Sequence, residues 1–439
     1  MYPNLYYIFK DWFSVQWEGL KFLNTFGLMV AIAFMVAAIV LTLELKRKEK
    51  QGLLAPKEEI ITVGKPAGLM ELLTNFLAGF LFGFKLFGLF FSKAPEVNPQ
   101  DYIFSGQGNW LGGLALGIFL AALKWYEKNK QKLKSPENRT VRIWPHDRVG
   151  DIVIIALIFG ILGAKLFDAF ENWSSFIADP VGTLFSASGL TFYGGLIMAA
   201  VAVCWYAHKR GIKLIHLVDS AGPALMIAYA VGRIGCQVAG DGDWGIYNSA
   251  YITDSTGKVV EAKAGEYQQQ LQHYAMYFEK GNVLDEGKII NNTSRKSDSL
   301  AVVPSAYFKA PSFLPVWMVA YNYPGNVNKD GAIVLPGNTE EHNRVLPIPV
   351  FPTPFYEIVI SFLLFLFLWA IRRRIKTAGV MFGTYLMLNG FERFFIEKIR
   401  VNTTYDKLPF NPTQAEIISL ALFIAGLLLI YIKKSKASN

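Results

Sequence analysis

Four short motifs place charged or hydroxyl-bearing residues inside or at the edge of long apolar stretches, where each is costly unless it serves a purpose. The first is Gly232-Arg233-Ile234-Gly235-Cys236-Gln237-Val238-Ala239-Gly240-Asp241-Gly242-Asp243-Trp244-Gly245, with Asp219 upstream. A guanidinium fork followed by glycines, whose bare backbone lets N–H groups come close, suits a phosphate. The same residues would equally form an interfacial arginine that caps a helix and pairs with Asp241 or Asp243. The second motif is Arg393-Phe394-Phe395-Ile396-Glu397-Lys398-Ile399-Arg400. Spacings of four and seven put Arg393, Glu397 and Arg400 on one helical face, as a salt-bridged helix end or as a second anion contact. In the third, Phe192-Tyr193-Gly194-Gly195-Leu196, Tyr193 supplies a hydroxyl within an apolar run. Its paired glycines allow close approach of a ligand or, more commonly, of another helix. The fourth, Pro352-Thr353-Pro354-Phe355-Tyr356-Glu357, carries the proline start and acidic first turn of an ordinary helix N-terminus.

The elements that must position these motifs are membrane helices. The 439 residues are 52% hydrophobic and only 18% charged, which a soluble chain of this length would not tolerate. Stretches long and apolar enough to cross a bilayer occur at 24–45, 72–92, 108–126, 150–168, 185–207, 215–235, 351–371, 377–394 and 414–433. The net charge of +9 is concentrated at 46–50, 124–134, 208–213, 372–376 and 433–436, after alternate spans. That distribution speaks for orientation in a membrane rather than for a nucleic-acid partner, and it predicts a periplasmic N-terminus and a cytoplasmic C-terminus. Arg400 falls on the side that this rule leaves poor in cations, which favours a bound anion there. Stretches 72–92 and 108–126 read as an added hairpin, with Lys85 snorkelling outward, or as a re-entrant pair lying in the interface.

Residues 246–350 form a long polar interruption with turn-rich stretches and short β-branched runs, which predicts a small, partly β, periplasmic insertion. The expected segments are thus 1–45, 46–149, 150–245, 246–350 and 351–439. Residues 1–20 read as an interfacial lead-in rather than a cleavable signal. Cys204 and Cys236 cannot make a disulfide framework, and five scattered histidines carry no ligand spacing, so neither a metal nor another cofactor is expected.

Taken together and in order, GRIGCQVAGDGDWG at 232–245, YGGL at 193–196, PTPFYE at 352–357 and RFFIEKIR at 393–400 resemble the prolipoprotein diacylglyceryl transferase family. Asp219, Pro223, Phe26-Gly27-Leu28 and Gly163-Ala164-Lys165-Leu166-Phe167 also fit. The resemblance covers 24–45, 150–245 and 350–433. It implies an all-α polytopic protein of the bacterial inner membrane, with a seven-helix core that the hairpin extends to about nine spans. The implied reaction moves the diacylglyceryl group of phosphatidylglycerol to the lipobox cysteine of a prolipoprotein, with glycerol 1-phosphate leaving. Arg233, Arg393, Tyr193 and Glu397 are then the catalytic candidates. Arg233 also binds the lipid, together with Phe26, Gly194, Gly195, Asp219, Cys236, Gly245, Tyr356 and Arg400. Many members carry histidine where this chain has Tyr193, tyrosine at Phe26 and asparagine at Cys236. Tyrosine ionises near about 10 and is a poor base at neutral pH unless arginines lower it, so Tyr193 is expected to orient substrate. Glu397 could accept a proton, though Arg393 one turn away is expected to disfavour that. The competing readings are an anion or lipid transporter, and a non-catalytic homologue that binds lipid or lipoprotein.

Overall fold

The computed structural model describes residues 1–91, 102, 105–185, 191–279, 297–333, 341–402, 405 and 409–438. Residues 92 and 186–190 of the predicted spans therefore lie outside the described residues. Among the described residues, nine long helices occupy the nine predicted stretches. They are α1 (Thr25–Lys50), α2 (Leu69–Phe91), α3 (Trp110–Lys130), α4 (Val149–Glu171), α5 (Phe192–Lys209), α6 (Leu214–Ala239), α7 (Thr353–Ile371), α8 (Val380–Glu397) and α9 (Gln414–Ser438). Six of these helical stretches are long and apolar enough to cross a membrane: those of α1, α2, α4, α6, α7 and α9. The charges of Glu392, Arg393 and Glu397 set α8 apart from them. The protein is a helical, multi-pass membrane protein. The chain divides into two compact units, one comprising residues 17–22 and 42–217, the other residues 1–16, 23–41 and 218–439.

In the first unit, α2 and α3 pack backbone to backbone through glycines. A side chain on Gly83 would come within 2.6 Å of the Gly112 carbonyl, and one on Gly79 within 2.8 Å of the Leu116 carbonyl. Phe76, Phe80 and Phe84 stack along the same helix at centroid spacings of 6.1 and 5.9 Å. Lys85 does not snorkel outward. Its Nζ donates to the carbonyls of Tyr102, Ser105 and Gln107 at 2.7, 2.5 and 2.9 Å. Local carbonyl acceptors at the hairpin turn replace water, so the ammonium has no reason to reach further. Helices α4 and α5 approach in the same way, with Gly163 and Gly160 facing Gly194 and Gly195. A twisted ribbon of β1 (Lys57–Val63) and β2 (Glu137–Ile143) lies beside an ion network in which Glu59 accepts from Arg148 at 2.6 Å and Arg210 at 3.1 Å.

In the second unit, α8 and α9 meet at Gly383, Gly390 and Gly426, where added side chains would strike backbone atoms of the facing helix. Met226 of α6, Leu368 of α7 and Met381 of α8 form one buried cluster, bordered by Leu364, Tyr385 and Leu388. Residues 246–350 contain short strands: β3 (Tyr247–Asn248), β4 (Tyr251–Thr253), β5 (Val259–Glu261), β6 (Ser305–Ala306), β7 (Ala332–Ile333) and β8 (Arg344–Val345), joined as four two-stranded pairs counting β1–β2. The β4–β5 turn follows its sequence: Asp254 accepts from the N–H groups of Thr256 and Lys258 at 2.8 and 2.9 Å, and Gly257 takes φ +81°. Trp244, Tyr247, Tyr277, Phe278, Tyr323, Leu346 and Ile348 fill the core of this excursion.

The glycine seams give a direct test. Gly150 on α4 has open space where Gly83 meets backbone. Gly83→Ala is expected to destabilise the detergent-solubilised protein by about 1–3 kcal/mol through overpacking. Gly150→Ala is expected to stabilise it by about 0.5–1 kcal/mol through helix propensity. Thermal unfolding of the two variants against the parent checks the difference in sign.

Candidate functional site

The second unit carries a buried ion cluster whose members come from four separate stretches of the chain. Helix α6 presents Tyr229 and Arg233, one turn apart on one face. Glu357 lies in the first turns of α7, Arg393 and Glu397 in the last turns of α8, and Arg400 just beyond. Backbone hydrogen bonds tie the connecting segments together. Gly245 N–H donates to the Phe351 carbonyl at 2.8 Å, Ile246 N–H to the Ile399 carbonyl at 2.9 Å, and Phe351 N–H to the Ile246 carbonyl at 3.0 Å. The Thr353 hydroxyl donates to the Asp243 carbonyl at 2.7 Å. Gly245 sits where these strands of chain cross. A side chain there would lie 2.7 Å from the Ile399 carbonyl and 3.0 Å from the Phe351 carbonyl, so only glycine fits without a shift.

Glu357, 0% exposed, is the centre of the cluster. It accepts from Arg393 Nη1 at 2.8 Å and from the Tyr229 hydroxyl at 2.9 Å. Arg233 Nε pairs with it at 3.1 Å, and Arg400 Nη1 lies 3.6 Å away. Asp243 joins the same arginines from the other side, accepting from Arg400 Nη2 at 2.6 Å and from Arg233 Nη1. Arg233 also lies over the Tyr229 ring, 5.1 Å from its centroid. Arg393 Nη2 reaches Glu397 at 3.4 Å. Glu397 is further fixed by the Thr413 hydroxyl at 2.9 Å and by the Asn402 amide. Three guanidinium groups thus face three carboxylates, of which Glu357 and Glu397 are fully buried and Asp243 is partly exposed. Shielding strengthens each pairing, and the carboxylates keep the forks from moving.

Asp243 and Asp241 titrate in opposite senses. Burial alone would push the Asp243 carboxyl up, but the charges of Arg400 and Arg233 and their hydrogen bonds outweigh it and hold the group at about 2. Asp241 is pushed up, first by burial and then by the neighbouring Asp243 charge. Cys236, Asp241 and Asp243 offer ligand atoms within 4.8 Å of one another. Both Asp243 oxygens, however, are engaged by arginines.

The sequence candidates distribute as follows. Arg233, Arg393, Glu397 and Arg400 come together in the cluster, with the Cys236 thiol 3.6 Å from Arg233 Nη1. Gly245 supports it from the backbone. Phe26, in the first turn of α1, packs against Gly235 of α6. Asp219 lies at the other end of α6, where it accepts from Gly379 and Phe382 N–H groups at 2.8 and 2.9 Å and caps the start of α8. The Tyr356 hydroxyl donates to the Met318 carbonyl at 2.6 Å. Tyr193, Gly194 and Gly195 belong to the first unit, where the glycines are buried against α4 and Tyr193 is half-buried. Sequence reasoning passed over Glu357 and Tyr229. Glu357 looked like an ordinary acidic first turn, and Tyr229 carried no motif, although it precedes Arg233 by one helical turn. Glu392, buried beside Arg393, was likewise not singled out.

Comparison with known proteins points to one family. A family profile described as prolipoprotein diacylglyceryl transferase matches residues 109–432. A phosphatidylglycerol–prolipoprotein diacylglyceryl transferase from Clostridium novyi is 24% identical over 347 residues, covering 78% of this chain and 98% of the relative. The protein of that name from Leptospira interrogans is 22% identical over 276 residues, 57% of this chain and 61% of its own length. One from Dehalococcoides mccartyi is 35% identical over 149 residues, covering 33% of this chain and 54% of the relative. With the profile spanning most of its length, the chain belongs to the prolipoprotein diacylglyceryl transferase family.

Proposed function

We propose that this protein transfers the diacylglyceryl group of phosphatidylglycerol to the lipobox cysteine thiol of a prolipoprotein. It does so from a bacterial inner membrane crossed nine times, with the N-terminus periplasmic and the C-terminus cytoplasmic. The observation that carries the reading is the convergence of Arg233, Arg393 and Arg400 on one buried point. In the reaction the sulfur–carbon bond forms as the carbon–oxygen bond to phosphate breaks. The thiol loses its proton, and the departing glycerol phosphate gains negative charge. Cations fixed in advance in a dry site lower the barrier to that charge development. Arg233 and Arg393 hold the phosphate from two helices. Arg400 Nη1, shielded and making no hydrogen bond among the described residues, supplies a further donor.

A free thiol ionises near about 8.5, and a strongly positive surrounding favours its thiolate. Glu357 and Asp243 keep the forks preorganised until the lipid arrives. Tyr193 orients substrate, and Phe26 and Cys236 border the path of the lipid. Residues 246–350 guide the prolipoprotein to the membrane surface.

Purified protein incubated with phosphatidylglycerol and a lipobox peptide should yield the thioether and free glycerol phosphate. Ion flux without product would support a transporter instead, and binding without product an inactive homologue. Arg233→Ala is expected to lower transfer by about a hundredfold or more, and Tyr193→Phe only to weaken it. Wild-type activity in Arg233→Ala would remove the mechanism. Glu357→Gln leaves buried arginines short of a counter-charge and should cost about 3–5 kcal/mol of stability, read from thermal unfolding in the same detergent.

A further inference from the structure

Glu392 stands one residue before Arg393 on α8 and is 3% exposed. Neither of its carboxylate oxygens has a hydrogen-bond partner among the described residues. A buried carboxylate with no donor is costly, and natural chains keep one where a ligand supplies the donors. The face it occupies is defined by spacing and packing. Met381, Tyr385, Leu388 and Glu392 recur at intervals of four, three and four. Met381, Tyr385 and Leu388 pack with Met226 of α6 and Leu368 of α7. Tyr385 also lies against Gly222 of α6. Helices α7 and α8 run antiparallel, with Leu368 beside Met381 at one end and Glu357 bound to Arg393 at the other. Glu392 is therefore level with Glu357, within electrostatic reach of Glu357, Arg393, Arg233 and Arg400.

The stereochemistry of the reaction says what such a group meets. Displacement at carbon requires the thiol to approach opposite the leaving oxygen. The arginines hold the phosphate and so mark the leaving side. A carboxylate among them faces the departing headgroup, not the incoming sulfur. That headgroup is a glycerol with two free hydroxyls, and Glu392 offers two free acceptor oxygens. We propose that Glu392 accepts hydrogen bonds from the headgroup glycerol and sets the preference for phosphatidylglycerol over phospholipids whose headgroups lack those hydroxyls. The proposal rests on the transferase reading of the same site.

The test compares full-length wild type, Glu392→Ala and Glu392→Gln in mixed micelles. Each is given a lipobox peptide with either phosphatidylglycerol or phosphatidylethanol, whose headgroup has no hydroxyl. Wild type should prefer phosphatidylglycerol. In Glu392→Ala, kcat/KM for phosphatidylglycerol should fall about 10- to 100-fold, the worth of hydrogen bonds to a charged group. Use of phosphatidylethanol should fall far less, so that the ratio collapses, with Glu392→Gln intermediate. Equal loss on both lipids would mark a structural role and overturn the proposal, as would no loss on phosphatidylglycerol. Should Glu392→Ala fail to fold, Glu392→Gln and the wild-type lipid ratio still decide, and equal wild-type use of the two lipids overturns it. A peptide with selenocysteine for cysteine, ionised without a base, provides a further arm. If it rescues Glu392→Gln, the residue accepts the thiol proton and the headgroup assignment is wrong. Wild type inactive on both lipids would instead sink the transferase reading itself.

Discussion

Three guanidinium groups cannot be held close together in a low-dielectric interior unless something binds them all, and in this protein that is the carboxylate of Glu357. It is wholly buried and reached from α6, from α8 and from the segment after α8. Mutual repulsion would otherwise drive Arg233, Arg393 and Arg400 towards solvent or lipid headgroups. Asp243 performs the same service from the loop side, and Tyr229 fixes the orientation of Glu357 through its hydroxyl. The arrangement has a chemical consequence. Forks already locked in place would need little reorganisation if an anion such as a phosphodiester took the place of one of their partners.

The rest of the second unit can be understood as support for that cluster. Apolar packing of Met226, Leu368 and Met381 sets the spacing of α6, α7 and α8, while Asp219 anchors the far end of α8 to α6. The glycines of α8 and α9 let the two helices close on each other, and Thr413, next to the start of α9, holds Glu397. A residue far from the cluster can thus matter by fixing the level at which Arg393 meets Glu357.

Much of the fold was legible because membrane helices leave a strong trace. The nine apolar stretches became nine helices, and the short strands and turns of the polar excursion appeared where turn residues clustered. The arginines were legible for the same reason, since a charge in an apolar run is conspicuous. Their partners were not. Glu357 hides in a position where acidic residues are common, and Tyr356 beside it, the residue singled out, turns a hundred degrees away to the Met318 carbonyl. For Arg233, the sequence offered pairing with Asp241 or Asp243, and the structure shows the pair with Asp243. Lys85 shows the limit of composition: snorkelling assumes that water is the nearest acceptor, whereas three carbonyls of the following turn are nearer.

The excursion of residues 246–350 leaves and re-enters the helical part of its unit at a closed neck. Phe351 N–H binds the Ile246 carbonyl at 3.0 Å, Asn248 N–H binds the Pro349 carbonyl at 2.8 Å, and Tyr247 bridges to Val350. A loop whose two stems are zipped together presents the same geometry to its base whatever its length, and lengthening such a loop adds little closure entropy. This part of the chain is therefore free to be enlarged, shortened or remodelled over evolution, for instance to suit different peptide clients, while Asp243 and Glu357, on the inner side of the neck, keep their register.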